Sequence, residues 1–411
     1  MKINNKKILN IFIVLFVLLL CPISVFANND ELSISSNSAI LIDNNTNKIL
    51  YSKNENKKMY PASTTKILTA IITLENSNLN DVVTASYDSI MSIPEGYSTA
   101  NIEIGEQLNV EQLLQLLLVH SANDAANILA EYVGGSINSF VSMMNTKANE
   151  LNMQNTHFTN TYGKHDENHY TTAKDLSTLM KYCIKNEKFR KIAGSASCAI
   201  PSTNKYQNRT YISTNELLIP NNKNYYKYLT SGKTGYTSQA GECLVSSAYK
   251  DNLELICVVL GSSNRFEDTK SLYEYGYSNY SFKTIANKND IAKQIEIKNA
   301  SKDTKKLDLL IKDPISALIK NSDSNRQFSP EIALNNKISA PIYENEVLGK
   351  IKYEINGVEY TSDLIASNNV EKSKLSNYIL YGLLILFLVF LCYKIFYKRK
   401  ENKLYRINFL K

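Results

Sequence analysis

From Leu375 to Tyr397 the chain is almost wholly apolar, interrupted only by Ser376, Asn377 and Lys394. At roughly 1.5 Å per residue, a helix of that length reaches across a bilayer core of roughly 30 Å. Tyr378, Tyr381, Tyr393 and Tyr397 stand near its ends, where amphipathic rings favour the membrane interface. Lys398-Arg399-Lys400 follows and marks the cytoplasmic side. A buried core helix is the competing reading, and so long a run with a basic flank speaks against it. The sequence therefore predicts a transmembrane helix over 375–397, a basic cytoplasmic tail over 398–411, and an outer domain before them.

The opposite end agrees with that topology. Lys2, Lys6 and Lys7 precede an apolar run from Ile8 to Leu20, and Val25-Phe26-Ala27 supplies small or branched residues at a cleavage position. This predicts a secretory signal over 1–27, cleaved after Ala27. Leu20 is too large for lipoprotein processing at Cys21.

Charge separates the same way. Of the net +7, the signal holds +3 and residues 394–411 hold +6 (seven Lys/Arg against Glu401), which leaves the intervening segment at −2. The basic balance belongs to the ends that meet the membrane, so nucleic acid is not an implied partner. Cys183, Cys198, Cys243 and Cys257 show no disulfide-framework spacing, and a chain this long can bury a core without staples. They read as small buried hydrophobes. Four histidines without an HExxH-type spacing predict no catalytic metal, and no cofactor is implied.

Between the ends the chain divides in two. Ala39 to Ile42 and Lys48 to Tyr51 read as strands around a polar turn. Val110 to His120 and Asp124 to Tyr132 read as helices, the second stopped by Gly134-Gly135. Thr172 with Asp175 resembles a capping box that opens a helix to about Lys185. Lys227 to Tyr236, Gly241 to Ala248 and Leu253 to Gly261 read as consecutive strands. Strands at both ends with helices between predict an α+β domain over 28–281: one antiparallel sheet flanked by helices. Residues 282–366 are rich in short β-like runs, with Asn356-Gly357 as a hairpin turn, and predict a small β domain. A polar tether is expected over 367–374, making the β domain a spacer above the membrane, with peptide or protein binding as its alternative role.

Three strings carry the chemistry. In Ser63-Thr64-Thr65-Lys66 the serine and lysine are three apart, so on a helix they face the same way. The apolar Ile67 to Ile72 predicts that this helix is buried, and burial with the positive end of a helix keeps a lysine neutral enough to deprotonate Ser63. Pro61 suits the helix start, and free N–H groups of its first turn suit an oxyanion hole. Ser-x-x-Lys recurs at Ser202–Lys205, but no apolar helix follows there, so that copy reads as a solvated loop.

Ser121-Ala122-Asn123 lies between two apolar helices, where a loop can project polar groups into a cleft. Ser-x-Asn alone is weak, because Ser202-Thr203-Asn204 and Ser262-Ser263-Asn264 also match and helix capping is its ordinary use. Lys233-Thr234-Gly235 occurs once. On an edge strand Lys233 would add positive potential, Thr234 a hydroxyl for a carboxylate, Gly235 room for a substrate backbone, and Tyr236 a second oxyanion N–H. An exposed lysine at a strand end is the plain alternative. Taken together, the strings equip a serine acyl-transfer enzyme.

The set resembles the penicillin-binding proteins and active-site-serine β-lactamases, and most closely the low-molecular-mass D-alanyl-D-alanine carboxypeptidases. Tyr60 to Ala70, His120 to Ala126 and Asn168 to Leu176 resemble the surrounding sequence of that family, and Pro341 to Ile365 its C-terminal β domain. The resemblance implies a β-lactamase/transpeptidase-like fold, with peptidoglycan stem peptides and β-lactams as partners. Ser63 would attack the penultimate D-alanine carbonyl with Lys66 as base, Ser121 would relay the proton, and Asn123 would hold the substrate amide. Lys233, Thr234 and, by a gapped match after Leu260-Gly261, Arg265 would bind the terminal carboxylate. Asn160-Thr161-Tyr162-Gly163-Lys164 departs from the family, which commonly has leucine after the glycine. Three rivals share the equipment: a β-lactamase, a D,D-endopeptidase and a catalytically weak wall-binding protein. The region 149–174 lacks the Glu-x-x-x-Asn deacylation motif that the first requires.

Overall fold

The computed structural model describes residues 32–373 and 375–408; the expected signal peptide and Cys21 lie outside the described residues. Five antiparallel strands form the main sheet, in the spatial order Ile49–Lys53, Ser38–Asp43, Leu253–Ser262, Gly241–Lys250, Leu229–Thr237. Both of its faces are covered, which is why Leu255 to Leu260 is apolar without alternation. Successive side chains still point to opposite sides. Ile256, Val258 and Leu260 join the helical layer that contains Lys66–Asn76, Asn123–Gly134 and Ala173–Cys183. Leu255, Cys257 and Val259 pack under the helix Arg265–Asn279. The order of strands places Leu229–Thr237 at the sheet edge, so one side of its backbone faces the cleft.

Local signals mark most element boundaries. Asp251 and Asn252 take φ of 49° and 64°, and Asn356 and Gly357 take 55° and 77°, the left-handed pairs that tight hairpins require. Gly135 closes its helix at φ 73°. The capping box at Thr172 is only half made. Thr172 accepts from the Asp175 N–H at 3.0 Å, while the Asp175 carboxylate turns away to the Asn155 N–H and the Thr156 hydroxyl. The helix ends at Cys183. The expected helix from Val110 to His120 is α only to Gln115 and widens to a π turn over Leu116–His120. Such a widening often marks a functional site.

Cys183, Cys198, Cys243 and Cys257 are buried and unpaired. A second antiparallel sheet runs Ile291–Glu296, Lys306–Ile311, Val358–Ala366, Val347–Ile355, Glu331–Leu334, with its own core around Leu307, Leu309, Ile351 and Leu364. Tyr280–Ala286 pairs with Ile315–Lys320 and joins the two parts of the chain. The segment expected as a free tether is instead drawn onto this sheet. Val370 is 1% exposed, and bridges pair it with Ile342 and Lys372 with Ala300. Its apolar valine has somewhere to go, and the polar residues around it hid that. Leu375–Asn408 is one continuous helix that runs past the apolar span into the basic stretch beginning at Lys398. Among the described residues its span Tyr378–Lys400 is the one long and apolar enough to cross a membrane.

Candidate active site

Ser63 does not lie on the α-helix. It sits in a 3-10 turn, Ala62–Thr65, and Lys66 begins the α-helix that follows. Positions three apart eclipse in a 3-10 turn, which brings the two side chains together more closely than an α-helix would. Lys66 Nζ donates to Ser63 Oγ at 2.9 Å and to the Tyr162 carbonyl at 3.0 Å. The turn is strained. Ala62 takes φ 47°, which costs an L-residue about 1–2 kcal/mol and persists only where the surroundings over-determine it. Gly163 (φ 94°) is one such constraint, since a Cβ there would lie 1.8 Å from the Ala62 carbonyl oxygen.

Lys66 is fully buried, and burial pushes its amine well below the usual lysine range. The charge of Lys233 lowers it further, against an opposing pull from Asp124. Lys233 is itself 1% exposed; burial first, and the Arg265 charge second, bring it down to about 7. A lysine that can act as a base is thus made by removing water and crowding cations, as general-base catalysis needs.

Ser121 occupies the left-handed region at φ 66°, ending the π turn, and Asn123 opens the next helix. Both are buried, and Asn123 Oδ1 has no hydrogen-bond partner in the structure. A buried acceptor left open at the cleft suits a ligand N–H. The neighbouring Asp124 holds the facing loop, accepting from the Ala100 N–H at 3.0 and 2.9 Å and from the Ile102 N–H at 3.1 Å. By contrast the two other Ser-x-Asn strings are ordinary. Ser202 and Asn204 are exposed, and Asn264 caps the helix Arg265–Asn279.

Lys233-Thr234-Gly235 lies on the sheet edge beside the nucleophile turn. Lys233 Nζ donates to the Thr234 carbonyl at 2.9 Å, and the Thr234 hydroxyl meets that of Thr214 at 2.6 Å. Arg265, far along the chain, reaches the same strand and donates to the Gly235 carbonyl at 2.8 Å. Its Nε is buried without a partner. Gly235 makes room for the enzyme itself: a Cβ there would stand 2.9 Å from the Pro61 oxygen and 3.0 Å from the Ser63 nitrogen. The close approach of the nucleophile turn thus requires a glycine at this position on its own account.

Ser63, Asn123 and Tyr236 border a cleft of about 460 Å³ together with Tyr97, Tyr162 and His165, while Lys66, Ser121, Lys233, Thr234 and Arg265 are not among its lining residues. No carboxylate is among its lining residues. Among the described residues no group of three or more His, Cys, Asp or Glu is gathered as a metal ion would require.

Tyr97 and His165 were not singled out in the sequence, and Asn160 and Tyr162 entered only within a string that departs from the family. Asn160 Oδ1 collects the N–H groups of Tyr162, Gly163 and Lys164 at 3.3, 2.8 and 2.9 Å, which shapes the loop that presents the Tyr162 carbonyl. Tyr97 meets Tyr162 edge-on at 6.1 Å across the cleft. The only local hints were the Asn-x-x-Gly spacing and the odd lysine after it.

The family model described as D-alanyl-D-alanine carboxypeptidase matches residues 25–264, and that described as the penicillin-binding protein 5 C-terminal domain matches 280–372. The chain is 30% identical over 382 residues to D-alanyl-D-alanine carboxypeptidase DacF of Bacillus subtilis, covering 90% of this chain and 95% of that protein. It is 28% identical to D-alanyl-D-alanine carboxypeptidase DacA of Haemophilus influenzae, over 74% of this chain and 76% of the other. The solved penicillin binding protein 5 from Haemophilus influenzae aligns with a TM-score of 0.64 and 26% identity, over 83% of this chain and 98% of its own.

Proposed function

The chain belongs to the D-alanyl-D-alanine carboxypeptidase family, and on that footing we propose how its residues remove the terminal D-alanine from peptidoglycan stem peptides. The 2.9 Å approach of Lys66 Nζ to Ser63 Oγ carries the reading, because a fully buried neutral amine at that distance can turn its lone pair to the Ser63 hydroxyl proton. Neutral Lys66 takes the Ser63 proton as Oγ attacks the penultimate D-alanine carbonyl. The backbone N–H groups of Ser63 and Tyr236 receive the oxyanion. Ser121 passes the proton to the departing amine, and the C–N bond breaks to release D-alanine. Asn123 holds the substrate amide, while Lys233, Thr234 and Arg265 face the terminal carboxylate. Water, deprotonated by Lys66, then cleaves the ester and frees Ser63.

A cleft lining without a carboxylate supports slow deacylation of penicillin, and so a penicillin-binding protein over a β-lactamase. The Tyr378–Lys400 span supports anchoring by one C-terminal helix. With the expected signal cleaved after Ala27, the catalytic domain of about 28–281 and the β domain of about 282–366 stand outside the membrane.

The reading is tested on the full chain in detergent. A Lys-D-Ala-D-Ala peptide should lose one D-alanine, and penicillin should add its own mass once, at Ser63. Release from cross-linked dimers but not from the free peptide would move the assignment to an endopeptidase.

The two lysines also set a pH dependence. Protonation of Lys66 removes the base, so acylation falls as pH drops through its lowered pKa. Lys233, at about 7, loses its cation above neutrality. KM for a peptide with a free carboxylate should therefore rise above pH 7, while amidation of that carboxylate should flatten the rise. A flat KM for the free acid would remove Lys233 from carboxylate recognition.

A further inference from the structure

His169 lies behind the nucleophile, 2% exposed, and no catalytic step above uses it. Its Nδ1 receives the Thr159 backbone N–H at 3.0 Å, with the Thr159 hydroxyl and the Asn160 amide each 3.2 Å away. A backbone N–H can only donate, so Nδ1 is an acceptor and the ring proton sits on Nε2. Nε2 in turn stands 2.8 Å from Thr65 Oγ1, whose own hydrogen goes to the Ala62 carbonyl at 2.8 Å. That tautomer satisfies the whole chain of donors. Burial brings the ring down to about 3, so it stays neutral where the enzyme works.

The two ends of the ring reach different parts of the active site. Thr65 and Ala62 belong to the strained turn that carries Ser63. Thr159 and Asn160 begin the loop whose Tyr162 carbonyl holds Lys66 Nζ and whose Gly163 abuts Ala62. We propose that His169 is a positioning residue for acyl transfer: Nε2–H steadies the Ser63 turn while Nδ1 steadies the loop that holds Lys66, keeping hydroxyl and amine in bonding range. The role rests on the acyl-transfer reading and extends it to a side chain that never meets the substrate.

The test compares His169→Ala, His169→Asn and His169→Gln in the full chain. Asparagine keeps an acceptor at the Nδ1 position, and glutamine keeps a donor at the Nε2 position. Labelled-penicillin acylation and kcat should fall roughly 10- to 100-fold for the alanine variant, which loses both contacts, the scale of a small misplacement of reacting groups. KM should stay within about threefold, and asparagine and glutamine, each keeping one of the two contacts, should each recover part of the rate without reaching the parent. Thermal melts report folding. If the alanine variant does not melt cooperatively, the asparagine and glutamine variants decide, each expected below the parent in kcat. Parent-like rates in either of those two variants, a loss confined to KM, or both of them as slow as a folded alanine variant would each overturn the proposal. A parent chain that is not labelled at all would instead bring down the acyl-transfer reading on which it rests.

Discussion

Ser63→Ala is expected to abolish D-alanine release and penicillin labelling together, by about 10⁴-fold or more, as loss of a covalent nucleophile does elsewhere. The fold should survive. Ser63 is half-buried and its hydroxyl accepts from Lys66, which keeps its second partner at the Tyr162 carbonyl. Stability should shift by no more than about 1 kcal/mol. The matched control is Ser202→Ala in the second Ser-x-x-Lys string, which should behave as the parent because Ser202 lies exposed in a loop. Penicillin labelling that persists without Ser63, read by peptide mass mapping, would show that another group is the nucleophile.

Lys66→Met should separate catalysis from stability. Methionine fills similar volume without the amine, so acylation should fall by about 10²–10⁴-fold, the range of general-base catalysis. The same change should leave the melting temperature equal or higher. A lysine whose folded pKa is depressed binds fewer protons in the folded than in the unfolded chain, so its burial costs stability at every pH below the unfolded lysine range and regains it as pH rises. Removing the amine removes that cost, offset by about 1 kcal/mol for the Tyr162 carbonyl left without its donor. A Met variant that both acylates normally and melts lower would refute the assignment of Lys66 as a strained, neutral base.

Much of this was readable locally. Main-sheet strands and hairpin turns announce themselves through apolar runs bounded by Asn, Asp and Gly, whose left-handed φ values the structure contains. Ser63, Lys66, Ser121, Asn123, Lys233 and Thr234 stood out as types at fixed spacings, and the fold brings them to one cleft wall or its immediate support. Less readable were the 3-10 turn beneath Ser63, the packed segment around Val370, and the Asp175 carboxylate spent on residues 155 and 156 rather than on its own helix. Each depends on a partner that local spacing does not name.

The amino-acid order decided which chemistry is available, because hydroxyl, amine and amide groups and short-range backbone preferences are properties of single residues and near neighbours. Whether that chemistry is switched on was left to the folded chain. Ser63–Lys66 and Ser202–Lys205 share the Ser-x-x-Lys spacing, yet only the first amine is stripped of water and held by a carbonyl from a distant loop. Desolvation and the fields of Lys233 and Arg265 arise only when far segments pack together. Gly163 and His169 likewise acquire meaning from what lies against them in space: the Ala62 carbonyl and the Thr65 hydroxyl.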